Sequence, residues 1–231
     1  MTDSVVTSVQ EGVALVRLDD GKANVISHGV IDALHAALDQ AEKEATAVAI
    51  LGREGKLSGG FDLSVMTASP ADAQRLVHRG GELLMRLYGH PQPVVIGVTG
   101  HALAAGALLV LACDTRIGAE GAFKIGLNET AIGMALPEYA VELARERLSK
   151  RWFARCALQA EILDPRQAVD AGFLDRVVPA DQVEQEVVAE AARLGALRAG
   201  AYRVTKEKSR QATVDRVVAN LESDLAGLLG S

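Results

Sequence analysis

Short apolar runs, which are typical of buried strands, alternate with helical patterns along the first half of the chain. The run Val94–Val98 contains no polar side chain, residues 105–113 have a helical pattern, and a further strand is predicted at 115–117. Upstream, the apolar run 48–51 follows a predicted helix in the same way. Strands joined by helices pair in parallel, with the helices covering the sheet. The pattern therefore predicts an α/β fold.

Two further features frame this pattern. Alternating residues at 13–18 predict a strand that forms a hairpin with residues 5–9, and Ser27 is suited to cap the helix that follows. The second half of the chain is mostly helical and ends in amphipathic segments. We divide this single continuous unit into a core at 1–180 and a helical region at 181–231, whose apolar faces suit contact between subunits.

Composition excludes several classes of function. The 231 residues are 49% hydrophobic without a linker, and the net charge of −6 gives no field that attracts nucleic acid or an anionic membrane. Residues 1–4 lack signal-peptide features and no apolar run reaches about 18 residues, so we expect a cytoplasmic protein. Cys113 and Cys156 lie in apolar stretches without metal-ligand spacing, which predicts buried thiols and no metal site.

A single carboxyl group stands out in the middle of the chain. Glu129 lies within residues 122–137, which are mostly apolar or glycine. Burial would raise the pKa of such a group, and a carboxyl poised near neutrality can both take and return a proton. Taken alone, the segment is also compatible with an ordinary glutamate on a surface loop.

Two glycine-rich segments upstream favour the catalytic interpretation. Residues 57–63 and 100–106 each place small residues where backbone N–H groups can remain free, the second at the start of a predicted helix. Together they could form an oxyanion hole. Close packing by small residues is the alternative. A dinucleotide-binding fingerprint is incomplete, because Ala102 and Ala105 stand where it requires glycine.

At these motifs the chain resembles the crotonase (enoyl-CoA hydratase/isomerase) superfamily. The matching segments occur in the same order and cover residues from about 5 to 225. They are 59–63, 99–106 with Cys113 and Asp114, 123–133, 163–168 and 171–179. The resemblance implies a spiral of ββα units with a C-terminal helical region. It also implies a homotrimer or a dimer of trimers that acts on an acyl-CoA.

The resemblance also assigns roles to individual residues. It implies that the backbone N–H groups of Phe61 and Ala105 hold the thioester oxygen and that Glu129 is the catalytic acid/base. Lys22 and Ala23 would lie beside the coenzyme A arm, although Lys22 alone is equally typical of a solvated loop. Further substrate-binding positions are Gly59, Gly60, Leu63, Gly106 and Leu108. Coenzyme A is part of the substrate, so no separate cofactor is expected.

One departure from the hydratase pattern indicates the reaction. Hydratases of this superfamily hold water between two glutamates, and Leu108 occupies the position of the first, while Glu129 matches the second. One carboxylate with an oxyanion hole suffices for a 1,3-proton shift, and the pattern resembles the Δ3,Δ2-enoyl-CoA isomerases of the family. A hydratase that recruits Glu138 and a noncatalytic acyl-CoA binding protein remain as alternatives.

Several other polar residues have structural interpretations. His101 is expected to satisfy a local hydrogen bond, Asp62 to cap a helix and Asp114 to hold a turn. The basic residues between 145 and 151 indicate a solvated helix face. Acyl-chain length depends on the packing of the C-terminal helices and of Leu63, Met66 and Met134.

Overall fold

Two sheets and the helices between them make up the fold in the computed structural model, which describes residues 4–229. The predicted outer limits at residues 1 and 231, and most of the segment tested for a signal peptide, lie outside the described residues. The strands are β1 (Val5–Gln10), β2 (Val13–Leu18), β3 (Ala47–Leu51), β4 (Gly55–Ser58), β5 (Val94–Val98), β6 (Gly100–Leu103), β7 (Thr115–Ala119), β8 (Ile125–Gly126) and β9 (Arg176–Val178). The helices are α1 (His28–Glu44), α2 (Leu63–Met66), α3 (Pro70–Gly89), α4 (Ala105–Ala112), α5 (Glu138–Arg147), α6 (Lys150–Phe153), α7 (Pro165–Ala171), α8 (Val183–Gly195) and α9 (Ala199–Leu229).

The larger sheet has six strands in the order β1-β2-β3-β5-β7-β9. The predicted hairpin pairs β1 with β2 in antiparallel fashion, and every other pair in this sheet is parallel. Strands β3 and β5 are buried along their whole length because helices cover both faces of the sheet. Ser27 caps α1 by accepting a hydrogen bond from the Val30 amide, as predicted.

A second sheet of three parallel strands, β4-β6-β8, lies beside the first. Each of its strands follows a strand of the larger sheet, and helical segments follow in turn, so the ββα repeat and the α/β class are confirmed. These three strands were not predicted from the sequence. Residues 100–103 form a strand that pairs with β4 and β8, and α4 begins at Ala105, as predicted.

Helices cover the larger sheet on both faces. On one face α8 contributes Val183, Val187 and Ala191, which pack with residues such as Val95 and Ile117. On the other face α1, α3 and α4 form the main hydrophobic core. The predicted apolar faces of the C-terminal region are therefore largely buried within the chain. A role for residues 181–231 in trimer contact stays a prediction.

An ion cluster attaches the start of α9 to the larger sheet. The Asp114 side chain is 8% exposed and accepts hydrogen bonds from Lys206 Nζ (2.7 Å), Arg210 Nη1 (2.6 Å) and the Val94 amide (2.8 Å). Burial opposes ionisation of Asp114, but Lys206 and Arg210 outweigh it and hold the pKa of this carboxyl below its ordinary value. Asp114 therefore does more than hold a turn, because it anchors the longest helix.

One predicted surface residue proves to be structural. Arg147 was expected on a solvated face, but its guanidinium donates to the carbonyls of Leu111 and Cys113 at 3.0 and 2.8 Å and lies over the Tyr88 ring. These carbonyls end α4 and have no partner within the helix, which explains why a cation is drawn inward. Cys113 and Cys156 are buried free thiols, as predicted. Within residues 4–229, no helix combines the length and apolarity needed to cross a bilayer.

Candidate active site

A largely apolar cavity of about 290 Å³ lies between the small sheet and helices α3, α5 and α9. Its wall includes Glu129, the only lining residue in the described part of the chain that carries a carboxyl group. The remaining lining residues are Gly59, Phe61, Leu63, Met66, Val77, Leu103, Ala104, Leu108, Asn128, Ile132, Met134, Ala135, Pro137, Tyr139 and Leu225. Such a cavity suits an apolar ligand that presents few polar groups.

Glu129 lies just after β8, at the start of a short 3-10 turn, Thr130–Ile132. Its side chain is only 8% exposed, and its Oε2 has no hydrogen-bond partner among residues 4–229. Burial raises the pKa of this carboxyl, although hydrogen bonds from backbone groups at Glu129 and Asn128 oppose the rise. A buried carboxylate with a raised pKa and one oxygen without a partner has the properties of a general base.

The Phe61 amide is directed away from Ile26, the residue with which Phe61 forms an isolated parallel bridge. Ile26 pairs with the residues on either side of it, since the Ile26 amide donates to the Gly60 carbonyl at 2.8 Å and the Asp62 amide donates to the Ile26 carbonyl at 3.1 Å. Gly60 supports this geometry with a φ of 100°, which other residues rarely adopt. No acceptor for the Phe61 N–H lies within residues 4–229, so this donor can serve a ligand.

The Ala105 amide is the first N–H of α4. It has no acceptor within the helix, and the described residues supply none from elsewhere. Ala104 precedes it with φ 50° and ψ −126°, an unusual conformation for a residue with a Cβ atom. The Ala104 amide donates to the Gly126 carbonyl at 3.1 Å, which holds the turn in place. The turn therefore fixes the direction of the free amide.

The two amide-bearing segments are in direct contact. A Cβ atom added to Gly60 would lie 3.0 Å from Ala104 Cβ and 3.4 Å from the Ala105 nitrogen. A Cβ atom added to Gly106 would lie 2.4 Å from the Ser58 carbonyl oxygen. Glycine at both positions thus allows the backbones to approach closely enough for two N–H groups to address one oxygen atom.

The predicted site residues separate into two sets. Gly59, Phe61, Leu63, Leu108 and Glu129 line the cavity, whereas Gly60, Ala105 and Gly106 form the backbone around it. Lys22 and Ala23 do not line it. The Lys22 side chain is exposed, and the Ala23 carbonyl accepts a hydrogen bond from the Gly59 amide at 2.8 Å. Their predicted contact with coenzyme A stays a prediction.

Other candidate residues lie outside the cavity. Glu138, the suggested second acid of a hydratase, pairs with Arg216 of α9 and accepts a hydrogen bond from Asn220. His101 Nδ1 accepts a hydrogen bond from the Lys124 amide at 3.0 Å, in keeping with its expected local role. Asp62 caps α2 as predicted. Within residues 4–229, no three His, Cys, Asp or Glu side chains cluster as metal ligands.

Part of the cavity wall was not predicted from the sequence. Val77, Tyr139 and Leu225 belong to three helices that are far apart in the sequence, so no local motif joins them. Asn128 is the exception, because it directly precedes Glu129. Its Oδ1 is buried without a partner in the described structure.

Residues 8–228 match the family model described as enoyl-CoA hydratase/isomerase. The chain belongs to this family. The match spans nearly all of the given chain, and an acyl-CoA substrate is consistent with this family. The protein is an enzyme of the isomerase/hydratase group.

Similar proteins of this family include both isomerases and hydratases. The chain is 29% identical to human mitochondrial enoyl-CoA delta isomerase 1, over 93% of this chain and 72% of the relative. It is 30% identical to a probable enoyl-CoA hydratase of Bacillus subtilis, over 84% of this chain and 75% of the relative. An enoyl-CoA hydratase/isomerase family protein from Pseudomonas syringae has a solved structure that is 44% identical, with a TM-score of 0.95 and coverage of 98% and 99%. These similarities leave the reaction to be decided from the residues of the site.

Burial of Glu129 has a measurable effect on stability. Its folded-state pKa is raised, so its favourable contribution to folding is present below its ordinary value of 4.5 and is lost as the pH rises through the folded-state pKa. At neutral pH the buried carboxylate is destabilising, by about 1.4 kcal/mol for each unit of elevation. We expect Glu129→Gln to raise the Tm at pH 7, with a difference that disappears in acid.

Thermal unfolding between acid and neutral pH tests this effect. Glu138→Gln is the matched control, since this carboxylate is paired with Arg216 and its loss should not raise the Tm at pH 7. A lower Tm for Glu129→Gln at pH 7 would mean that the carboxylate stabilises the folded protein.

Proposed function

We propose that the protein is a Δ3,Δ2-enoyl-CoA isomerase, which moves the double bond of a 3-enoyl-CoA to the 2 position. The observation that carries this proposal is the single carboxyl group on the cavity wall. Glu129 provides one proton acceptor, and Leu108 provides a buried hydrocarbon surface where hydration would require a second acid. A one-base proton transfer fits this set of groups, whereas activation of water does not.

The reaction begins with removal of a proton from C2 of the substrate. Both the thioester carbonyl and the adjacent double bond acidify this proton, and the Glu129 carboxylate accepts it. The electrons move into a dienolate, whose oxygen charge is stabilised by the free N–H groups of Phe61 and Ala105. The Glu129 carboxylic acid then returns the proton at C4, which leaves the double bond between C2 and C3 and restores the carboxylate.

The apolar wall supports this cycle in two ways. It keeps water away from the dienolate, and it raises the pKa of Glu129, which makes the carboxylate a stronger base toward the C2 proton. Leu108 is 2% exposed and contributes to both effects. The reaction as written needs neither a metal ion nor a separate cofactor.

A spectrophotometric assay distinguishes the candidate reactions. With 3-enoyl-CoA as substrate, formation of 2-trans-enoyl-CoA supports the isomerase. With 2-trans-enoyl-CoA as substrate, efficient formation of 3-hydroxyacyl-CoA would identify a hydratase, which would need a second acid beyond those that the described residues place on the cavity wall. Tight acyl-CoA binding without turnover of either substrate would indicate a binding protein.

Assembly and location are proposed from the family alone. We expect a homotrimer or a dimer of trimers in the cytoplasm, with Lys22 and Ala23 beside the coenzyme A arm. Light scattering of the purified protein measures the assembly directly. We expect the Lys22→Ala variant to bind acyl-CoA more weakly with an unchanged kcat. This result would support a contact between Lys22 and coenzyme A.

A further inference from the structure

The cavity has an exposed rim and a buried inner end. Leu63 and Ile132 line it with 71% and 57% of their surface exposed, so they mark the mouth. Val77, Tyr139 and Leu225 also line it but are exposed by only 5%, 1% and 1%. We call these three residues the inner wall. The rim and the inner wall thus mark exposed and buried parts of the cavity lining.

Hydrogen bonds connect the helices of the inner wall. The Tyr139 hydroxyl donates to the Val77 carbonyl at 3.4 Å, which connects α5 with α3. The Glu138 amide, next to Tyr139, donates to Asp224 Oδ2 at 2.7 Å, which connects α5 with the residue preceding Leu225. Three helices therefore meet at the inner wall in a fixed register.

The helix that carries Leu225 is also held at its other end. Lys206 and Arg210 contact the buried Asp114 on the larger sheet, 2.7 and 2.6 Å away. Between these attachments Leu221 is buried against α3, close to Gly81. Leu225 is thus a fixed part of the wall, because hydrogen bonds and ion pairs hold α9 on both sides of Leu221.

The chemistry of the inner wall suits the hydrocarbon end of an acyl chain. Leu225 and the side chain of Val77 are apolar, and the Tyr139 hydroxyl is already engaged by the Val77 carbonyl. Each methylene that is buried in free space contributes about 0.8 kcal/mol to the binding free energy of the acyl chain. This contribution corresponds to a factor of about four in affinity. Once the free space of the cavity is filled, a further methylene must displace packed side chains.

We propose that Leu225 sets the longest acyl chain that the enzyme accepts. The proposal rests on the acyl-CoA isomerase function proposed above. It identifies the part of the cavity wall that limits the length of the substrate's acyl chain. It assigns a role in substrate selection to α9, a helix that lies far from Glu129 in the sequence.

Truncation of Leu225 is the direct test. The kcat/KM of a series of 3-enoyl-CoA thioesters, each two methylenes longer than the last, is measured for the wild type and for Leu225→Ala. We expect the optimum to move to longer chains, with a gain of about fourfold for each methylene newly accommodated. Leu225→Phe should move the optimum to shorter chains, and it remains informative if the alanine variant does not fold.

Leu221→Ala is the matched control. Leu221 lies one turn earlier on α9 and is equally buried, but it does not line the cavity. Its truncation should lower the Tm and leave the length profile unchanged. An unchanged profile in both Leu225 variants, or an equal change in Leu221→Ala, would overturn the proposal.

Calorimetry with saturated acyl-CoA thioesters separates this proposal from the proposed function. Binding reports chain-length preference without any chemical step. If the wild type binds these thioesters but does not convert 3-enoyl-CoA, the isomerase proposal fails and Leu225 is judged from the binding profile. If conversion occurs and binding of the Leu225 variants follows the wild-type profile, only the chain-length proposal fails.

Discussion

Glu129→Gln is expected to lower the kcat for isomerisation of 3-enoyl-CoA by about 10³-fold or more, because general acid–base catalysis contributes about 10²–10⁴-fold and the cavity wall formed by residues 4–229 carries this carboxyl group alone. The amide keeps the shape of the side chain but cannot accept the C2 proton. The acyl-CoA contacts remain, so the Kd for a saturated acyl-CoA should change by less than about threefold. Steady-state kinetics and calorimetry measure the two quantities.

Glu138→Gln is the control for this result. Glu138 is the nearest acid in the sequence after Glu129, but it pairs with Arg216 outside the cavity. It should retain most of the wild-type kcat. Turnover that survives in Glu129→Gln and disappears in Glu138→Gln would transfer the acid/base role to the second residue.

Gly106→Ala is expected to reduce kcat by about 10²-fold through displacement of the oxyanion-binding amide. The added Cβ would lie 2.4 Å from the Ser58 carbonyl oxygen, whereas ordinary contacts begin near 3.4 Å, so the start of α4 or the end of β4 must shift. A displacement of about 1 Å at a catalytic group can cost about 10²-fold in rate. In the absence of this contact, alanine would favour the helix.

Gly29→Ala provides the comparison for this effect. Gly29 is also helical, but a Cβ added there meets only Ser27 Oγ, at 3.9 Å. Its kcat and Tm should remain close to those of the wild type. Wild-type kcat in Gly106→Ala would mean that the Ala105 amide does not hold the developing charge.

Five strands of the larger sheet could be predicted because they carry a local signal, whereas β9 lies in the half of the chain that was expected to be mostly helical. Each of β3 and β5 is an uninterrupted apolar run between helices, which distinguishes a strand buried on both faces. Strands β4, β6 and β8 are two to four residues long and rich in glycine and small residues, so they show no periodicity. Their pairing with one another stabilises them, and a local pattern does not contain that information.

The candidate site likewise contains residues that could be predicted from the sequence and residues that could not. Glu129 and the two glycine-rich segments could be found from the sequence, because a lone acid in an apolar stretch and paired small residues are local features. The inner wall could not, since Tyr139 and Leu225 meet only after α5 and α9 pack on α3. Likewise, the inward position of Arg147 depends on the carbonyls that end α4.

The unusual backbone conformation of Ala104 determines when the energetic cost of orienting the Ala105 amide is incurred. With φ at 50°, this residue fixes the direction of the Ala105 amide as part of the fold. Solvent dipoles must rotate each time an anion forms beside them, but a main-chain dipole fixed by the fold does not. The cost of orientation is therefore incurred once, while the polypeptide folds, and does not recur at each turnover.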